Sequence, residues 1–234
     1  MFSSMETHRQ VLSTRAMARG IVRRIRNPLN ALQLNIDSLE DDIAEANIEN
    51  SLERLRRIRN TIAELDSLLC AVLRLTDLPK LQITAVNVNV LVRDVETFAR
   101  PEASKKELTV RVDLQDNVPE IQADPTQIKQ AILNVFLNAI EHSPSRGSIT
   151  LTTEAKDHNI LIKVEDNGEG IQLAHRDRIF DPFFSTKEGG IGLGLALALE
   201  IMRLHHGQIS FTSEVGKGST FIISLPLKVD GGEK

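Results

Sequence analysis

The residues able to do chemistry in this 234-residue chain fall in five separated stretches. Asn134 and Asn138 stand four apart, so both amides project from one face of a helix. Asp166-Asn-Gly168-Glu-Gly170-Ile171 sets a carboxylate, a pure hydrogen-bond acceptor, before two glycines that admit sharp turns and close backbone approach. Phe180-Asp-Pro-Phe-Phe-Ser-Thr-Lys187 brings a cation into a loop, and Gly190-Ile-Gly192-Leu193-Gly194-Leu195 opens a helix with three glycines. Backbone N–H groups and the positive end of such a helix suit an anion. The fifth stretch, Gly216-Lys-Gly218-Ser-Thr220, is a tight turn into a closing strand.

Each stretch alone has a plainer reading. Paired asparagines also make a solvated polar face. The glycine run could be a dinucleotide-binding turn, but no strand precedes it. Gly216 to Thr220 lacks the spacing of a P-loop. Phe183 and Phe184 read as packing of the loop, and His205-His206 as a helix end favoured by positive charge.

The elements that must position these residues divide at about residue 80. Between Leu12 and Leu78 only Gly20 and Pro28 interrupt a helical pattern. Ile21, Ile25, Leu32, Ile36 and Leu39 form one apolar stripe, and Leu52, Leu55, Ile58, Ile62, Leu65, Leu69 and Val72 form another. The polar run Asp41 to Asn50 holds the turn of a helical hairpin. A lone hairpin leaves both stripes wet, which predicts pairing of two copies into a four-helix bundle. Arg15, Arg19, Arg23 and Arg26 share the opposite side of the first helix.

Beyond Pro79 helices and strands segregate as in a two-layer α/β sandwich. A short helix is expected from Asn87 to about Phe98, and a strand from Leu108 to Asp113. Asp124-Pro-Thr-Gln127 starts a helix to about His142, with Asp124 as N-cap and Gln127 reaching back in a capping box. A strand pair is expected around Lys156-Asp-His158, a helix over 193–205, and strands over 208–213 and 220–225. The fold class is therefore α+β, with a helical hairpin at 1–80 and an α/β sandwich at 81–234.

Composition narrows the function. Aromatic residues are 3%, with no Trp or Tyr, which argues against stacking on nucleic-acid bases. A net charge of −4 provides no basic field toward nucleic acid or membrane. No apolar run of about 18 residues or signal peptide is read. The single Cys70 lies in an aliphatic helix and reads as core, which fits a reducing cytoplasm.

Taken together and in this order, the five stretches resemble the N, G1, F and G2 boxes and final glycine pair of sensor histidine kinases, over about residues 81–227. Ile25-Arg-Asn27-Pro-Leu29 resembles the family's phosphoacceptor box. The resemblance implies a cytoplasmic homodimer of two-component type that binds ATP and Mg²⁺ and meets a response regulator. It implies that Asp166 accepts from the adenine amino group and that Asn138 places its oxygen on Mg²⁺. It further implies that Lys187 reaches the γ-phosphate, that Thr220 lies near Asp166, and that His142 is a candidate phosphate contact. The box departs from the family at its reactive centre. The phosphoacceptor His and its neighbouring acid are Arg23 and Arg24. A guanidinium is neither nucleophile nor base. His8 lies some four turns earlier and is not a substitute. Autophosphorylation at the usual site is expected to fail, and Asn134 stands where related ATPases carry a glutamate base. The alternatives are a response-regulator phosphatase using Asn27, a slow ATPase, or an ATP-gated interaction scaffold.

Overall fold

The computed structural model describes residues 22, 25–43, 48–76, 81–187 and 190–227, with the backbone alone for 63, 64 and 66–76. Arg15, Arg19, Arg23, Arg24, His8 and the side chain of Cys70 lie outside the described residues. The chain divides into two compact units, Met1–Leu78 and Pro79–Lys234.

In the first unit, helix α1 (25–43) precedes helix α2 (Ile48–Thr76). Asp42, in the last turn of α1, is buried and pairs with Arg54 in the second turn of α2. The apolar stripes are partly wet: Ile36 is 41% exposed, Leu52 51%, Leu55 49% and Ile62 54%, while Ile25, Leu32, Leu39, Ile58 and Leu65 are half-buried. Asn27 and Arg26 lie exposed on α1.

The second unit is a sheet covered by helices. Strands β2 (Thr109–Leu114), β4 (Ser148–Lys156), β5 (Asn159–Asp166), β7 (Gly218–Pro226) and β6 (Gln208–Glu214) form a five-stranded sheet in the spatial order β2-β4-β5-β7-β6. Only β2 and β4 run parallel; the other neighbours are antiparallel. A separate pair, β1 (Thr84–Val86) and β3 (Ile121–Ala123), is antiparallel. The β4–β5 hairpin closes through Asp157 and His158, both with positive φ, the backbone that a two-residue primed turn requires.

Alternation along the strands puts Ile149, Leu151, Ile160, Ile162, Val164, Phe221 and Ile223 on one buried face. Helix α4 (Pro125–His142) carries Ile128, Ala131, Ile132, Val135, Phe136 and Ala139 into that core at spacings of three and four. Helices α3 (Val88–Lys105) and α5 (Gly194–Leu204) pack on either side of α4. Among the described residues no helix is long and apolar enough to cross a membrane.

Three expectations are corrected. Helix α3 continues past Phe98 to Lys105, through Pro101, because Ala99 and Ala103 remain buried and that burial outweighs a helix-breaking residue. The capping box at α4 is half formed. Asp124 accepts from the N–H groups of Thr126 and Gln127, but its own N–H donates to His205 Nε2 at 3.1 Å. His205 does cap α5, as a buried ring acting through hydrogen bonds rather than charge. Its Nδ1 lies 2.8 Å from Ile201 O, so with Nε2 accepting it is the Nδ1–H tautomer.

Candidate nucleotide site

Helix α4 is the spine of the site. One end of its polar flank meets the start of α5. A Cβ added at Gly194 would sit 3.7 Å from Asn134 Cβ, so the first turn of α5 abuts that asparagine. The other end meets the loop after β5. His142 Nδ1 lies 3.0 Å from Glu169 Oε1, and a Cβ at Gly168 would fall 2.4 Å from His142 O. Eight residues of helix separate Asn134 from His142, about 12 Å. The site thus has an amide-and-helix-terminus end and a carboxylate end, fixed apart by a rigid rod.

At the carboxylate end Asp166 closes β5. It is 5% exposed, and burial pushes its carboxyl above the ordinary carboxylate range despite two hydrogen bonds that oppose the shift. Gly168 N–H at 2.8 Å and Ser219 N–H at 3.3 Å both donate to Oδ1, and Oδ2 takes neither. Gly218 makes this possible. Its φ is 114°, and a Cβ there would lie 1.9 Å from Asp166 O. The register pairs Asp166 with Ser219 and Glu165 with Thr220. The residue on Asp166's own face is therefore Ser219, which sequence reasoning passed over for its neighbour. Thr220 still lines the same cavity of about 340 Å³, with Asp166, Ser213, Gly218 and Ser219. That cavity contains none of the residues of the amide end.

Ser213, on β6, organises this corner. Its Oγ accepts from Ile171 N–H at 2.7 Å, donates to Gly218 O at 3.0 Å and touches Ser219 Oγ at 3.0 Å. Arg176 clamps the same corner through Ser213 O at 2.5 Å and Ile171 O at 3.3 Å. Gly170, with φ of 71°, lies against Glu214 O, where a Cβ would fall at 2.2 Å.

At the amide end Asn134 Oδ1 accepts from Gln130 Nε2 at 3.0 Å, while its Nδ2 is buried without a partner among the described residues. Asn138 is half-buried one turn on. Helix α5 begins at Gly194, one residue after the expected start at Leu193. Its N-cap, Leu193, provides no side-chain cap to the first-turn N–H groups. The loop before it folds back on the glycines. Phe183 N–H donates to Gly192 O at 2.7 Å, and Phe184 is stacked under Arg178 at 4.6 Å. The expected role of both phenylalanines in packing the loop thus has direct contacts behind it for Phe184, which also lies against His175. Gly190 sits against Ser185, and the Lys187 N–H donates to Ser185 Oγ at 3.1 Å; the Lys187 side chain is exposed.

A buried acceptor, paired amides and an uncapped helix start on one sheet-and-helix frame define an ATPase module of known type. Residues 123–229 match the histidine kinase-, DNA gyrase B- and HSP90-like ATPase family. The chain belongs to the sensor histidine kinases, whose ATP-binding domain is this two-layer fold. It is 33% identical over 227 residues to sensor histidine kinase ZraS of Escherichia coli K12, covering 96% of this chain and 48% of ZraS. It thus spans about half the length of that relative. It is similar to the catalytic domain of histidine kinase ThkA, with 31% identity, TM-score 0.58 and coverage of 62% of this chain and 96% of that one. A structure of histidine kinase ThkA in complex with response regulator protein TrrA matches 97% of this chain and 66% of that one, with 25% identity and TM-score 0.74.

Proposed function

We propose that the chain is the cytoplasmic, dimeric signalling core of a two-component protein, whose α/β unit binds Mg-ATP and whose phosphoacceptor position is inert. The observation that carries the nucleotide reading is the buried Asp166 carboxylate. Two N–H groups secure one oxygen and leave the other for a ligand amine. The family resemblance and the ATPase match support the adenine reading of that group. The phosphates go toward Gly190, Gly192 and Gly194 and the first turn of α5, within reach of the loop that carries Lys187.

The residues at the amide end fit Mg²⁺ chemically. A hard cation takes oxygen ligands, and Asn138 supplies an amide oxygen from the helix face that also carries the partnerless Asn134 amide. When bound, the ion would neutralise phosphate charge. This chain's own residues orient the base, exclude water from Asp166 and align the polyphosphate along α4.

The exposed apolar residues of α1 and α2 support a homodimer through the helical hairpin. Arg23 cannot accept phosphate, so nucleotide occupancy has its effect through a partner, for which a response regulator is the candidate. Asn27, exposed on α1, favours a second reading in which the chain removes phosphate from that regulator.

Calorimetry with Mg-ATP tests the binding; Asp166→Asn and Asn138→Ala should each abolish or sharply weaken it. A single turnover with γ-labelled ATP tests the inert acceptor. Acid-labile, base-stable label on the protein would refute it. Loss of regulator dephosphorylation in Asn27→Ala would favour the phosphatase reading. Steady phosphate release that stops in Asn138→Ala would favour a slow ATPase instead, and undetectable Mg-ATP binding a scaffold.

A further inference from the structure

We infer that Ser213 sets the hydrogen-bond polarity of the base end of the site, and with it the choice between a 6-amino and a 6-oxo purine. This rests on the nucleotide reading above and adds a residue that does not itself meet the base.

A serine hydroxyl has one proton and two lone pairs. Ser213 Oγ uses one lone pair for Ile171 N–H at 2.7 Å and its proton for Gly218 O at 3.0 Å. Its remaining neighbour is Ser219 Oγ at 3.0 Å. With the Ser213 proton committed, Ser219 must donate its own proton to Ser213. Ser219 Oγ then offers only lone pairs in every other direction.

Ser219 stands opposite Asp166 in the sheet register, on the same face, and both line the cavity with Ser213. Asp166 Oδ1 is filled by two N–H donors, and a carboxylate offers only lone pairs. The base end is thus a pair of acceptors. An exocyclic amine brings N–H groups to it, whereas a 6-oxo group brings lone pairs against lone pairs. Asp166 alone favours the amine. The serine pair keeps the Ser219 proton from turning toward a carbonyl there. Without Ser213, the Ser219 proton is free to rotate toward the ligand, and the second acceptor becomes a donor.

The test is calorimetry of the full chain with the magnesium complexes of ATP and inosine triphosphate, whose bases differ at position 6, an amine against a carbonyl, and with it at N1, bare in adenine and protonated in hypoxanthine. The wild-type chain should favour ATP by at least about tenfold, the scale of one unmade buried hydrogen bond. Ser213→Ala should narrow that ratio about tenfold, chiefly through tighter binding of inosine triphosphate. Ser213→Thr keeps the hydroxyl and should keep the ratio. Ser219→Ala removes the acceptor without freeing a donor, so it should weaken ATP while leaving inosine triphosphate weak. Equal losses for both nucleotides in Ser213→Ala mean a structural role only and overturn the inference. A ratio lost in Ser213→Thr does the same, and so does an unaltered ATP affinity in Ser219→Ala, a readout that stands if Ser213→Ala does not fold. A wild-type chain that binds neither nucleotide overturns the underlying nucleotide reading together with it.

Discussion

The backbone N–H of Asp124 donates to Nε2 of His205 across 3.1 Å, so the N-cap of α4 and the C-cap of α5 are joined by one hydrogen bond. These are the helices that carry Asn134 and Gly194. Their angle and depth are set at the end away from the glycines, by a ring whose other nitrogen is held by Ile201 O.

His205→Ala should therefore leave the Asp124 N–H and the Ile201 carbonyl without their ring partner in a buried place. A loss of about 2 kcal/mol is expected, the usual penalty for a stranded buried polar group. Urea denaturation of the two proteins checks it. Nucleotide affinity should fall with stability, because the two helices lose their common reference.

Asp124 gives a pH signature. Burial would raise its carboxyl, but N–H groups of Gln82, Gln127 and Thr126 outweigh that and hold it below the ordinary value. A carboxylate with a lowered folded value stabilises fully above its unfolded value of about 3.9, and the contribution is lost as pH falls through the folded one. Asp124→Asn should thus be less stable than the wild-type chain at neutral pH. The gap should stay level down to about pH 5 and close below about pH 4. Thermal melts across that range measure it.

Asp166 has the opposite sign. Burial raises its carboxyl, so the folded chain is relieved of a penalty below the unfolded value, and the penalty grows as pH rises through the folded one. Asp166→Asn should raise the melting temperature of the ligand-free chain at pH 7 while weakening ATP binding by a factor of ten or more, about 1.4 kcal/mol. The stability difference should vanish in acid. In the wild-type chain, ATP affinity should begin to fall at a pH above the usual carboxylate range, because the amine needs the charged form.

Gly218→Ala should be among the most damaging single substitutions in the α/β unit. Its Cβ would meet Asp166 O at 1.9 Å from a φ of 114°, and backbone oxygen cannot swing aside. A loss of at least about 3 kcal/mol is expected. Gly216→Ala, in a turn with nothing within 4 Å, isolates the cost of the positive φ alone and should be much milder. Denaturation of the pair separates the clash from the conformation.

The site's cast was legible where chemistry dictates residue type. Two asparagines one turn apart, a carboxylate before paired glycines and a glycine-opened helix have few other uses in that order. Asp124 and Pro125 marked the start of α4 because a cap and a first-turn proline are local signals. Ser213 and Ser219 were not legible. Their meaning depends on which strand neighbours which, and on a register that a one-residue slip would reverse. The same register makes Ser219, not Thr220, the donor to Asp166. His205 was read as a charged cap because its partner lies 81 residues away. The length of α3 was misjudged at Pro101, where local propensity says stop and the burial of Ala103 says continue.

Lys106, the C-cap of α3, donates from Nζ to Ile140 O at 2.9 Å, Glu141 O at 2.7 Å and Ser143 O at 3.0 Å. These are carbonyls that the end of α4 leaves over, where a helix concentrates partial negative charge. The carbonyl between them, of His142, is the one packed against Gly168 beside Asp166. One ammonium spends all three of its protons quenching that negative pole from behind. The electrostatic background around that buried carboxylate is therefore tuned by a lysine outside every nucleotide motif. Neutralising it would darken the whole neighbourhood toward anions without touching a single ligand contact.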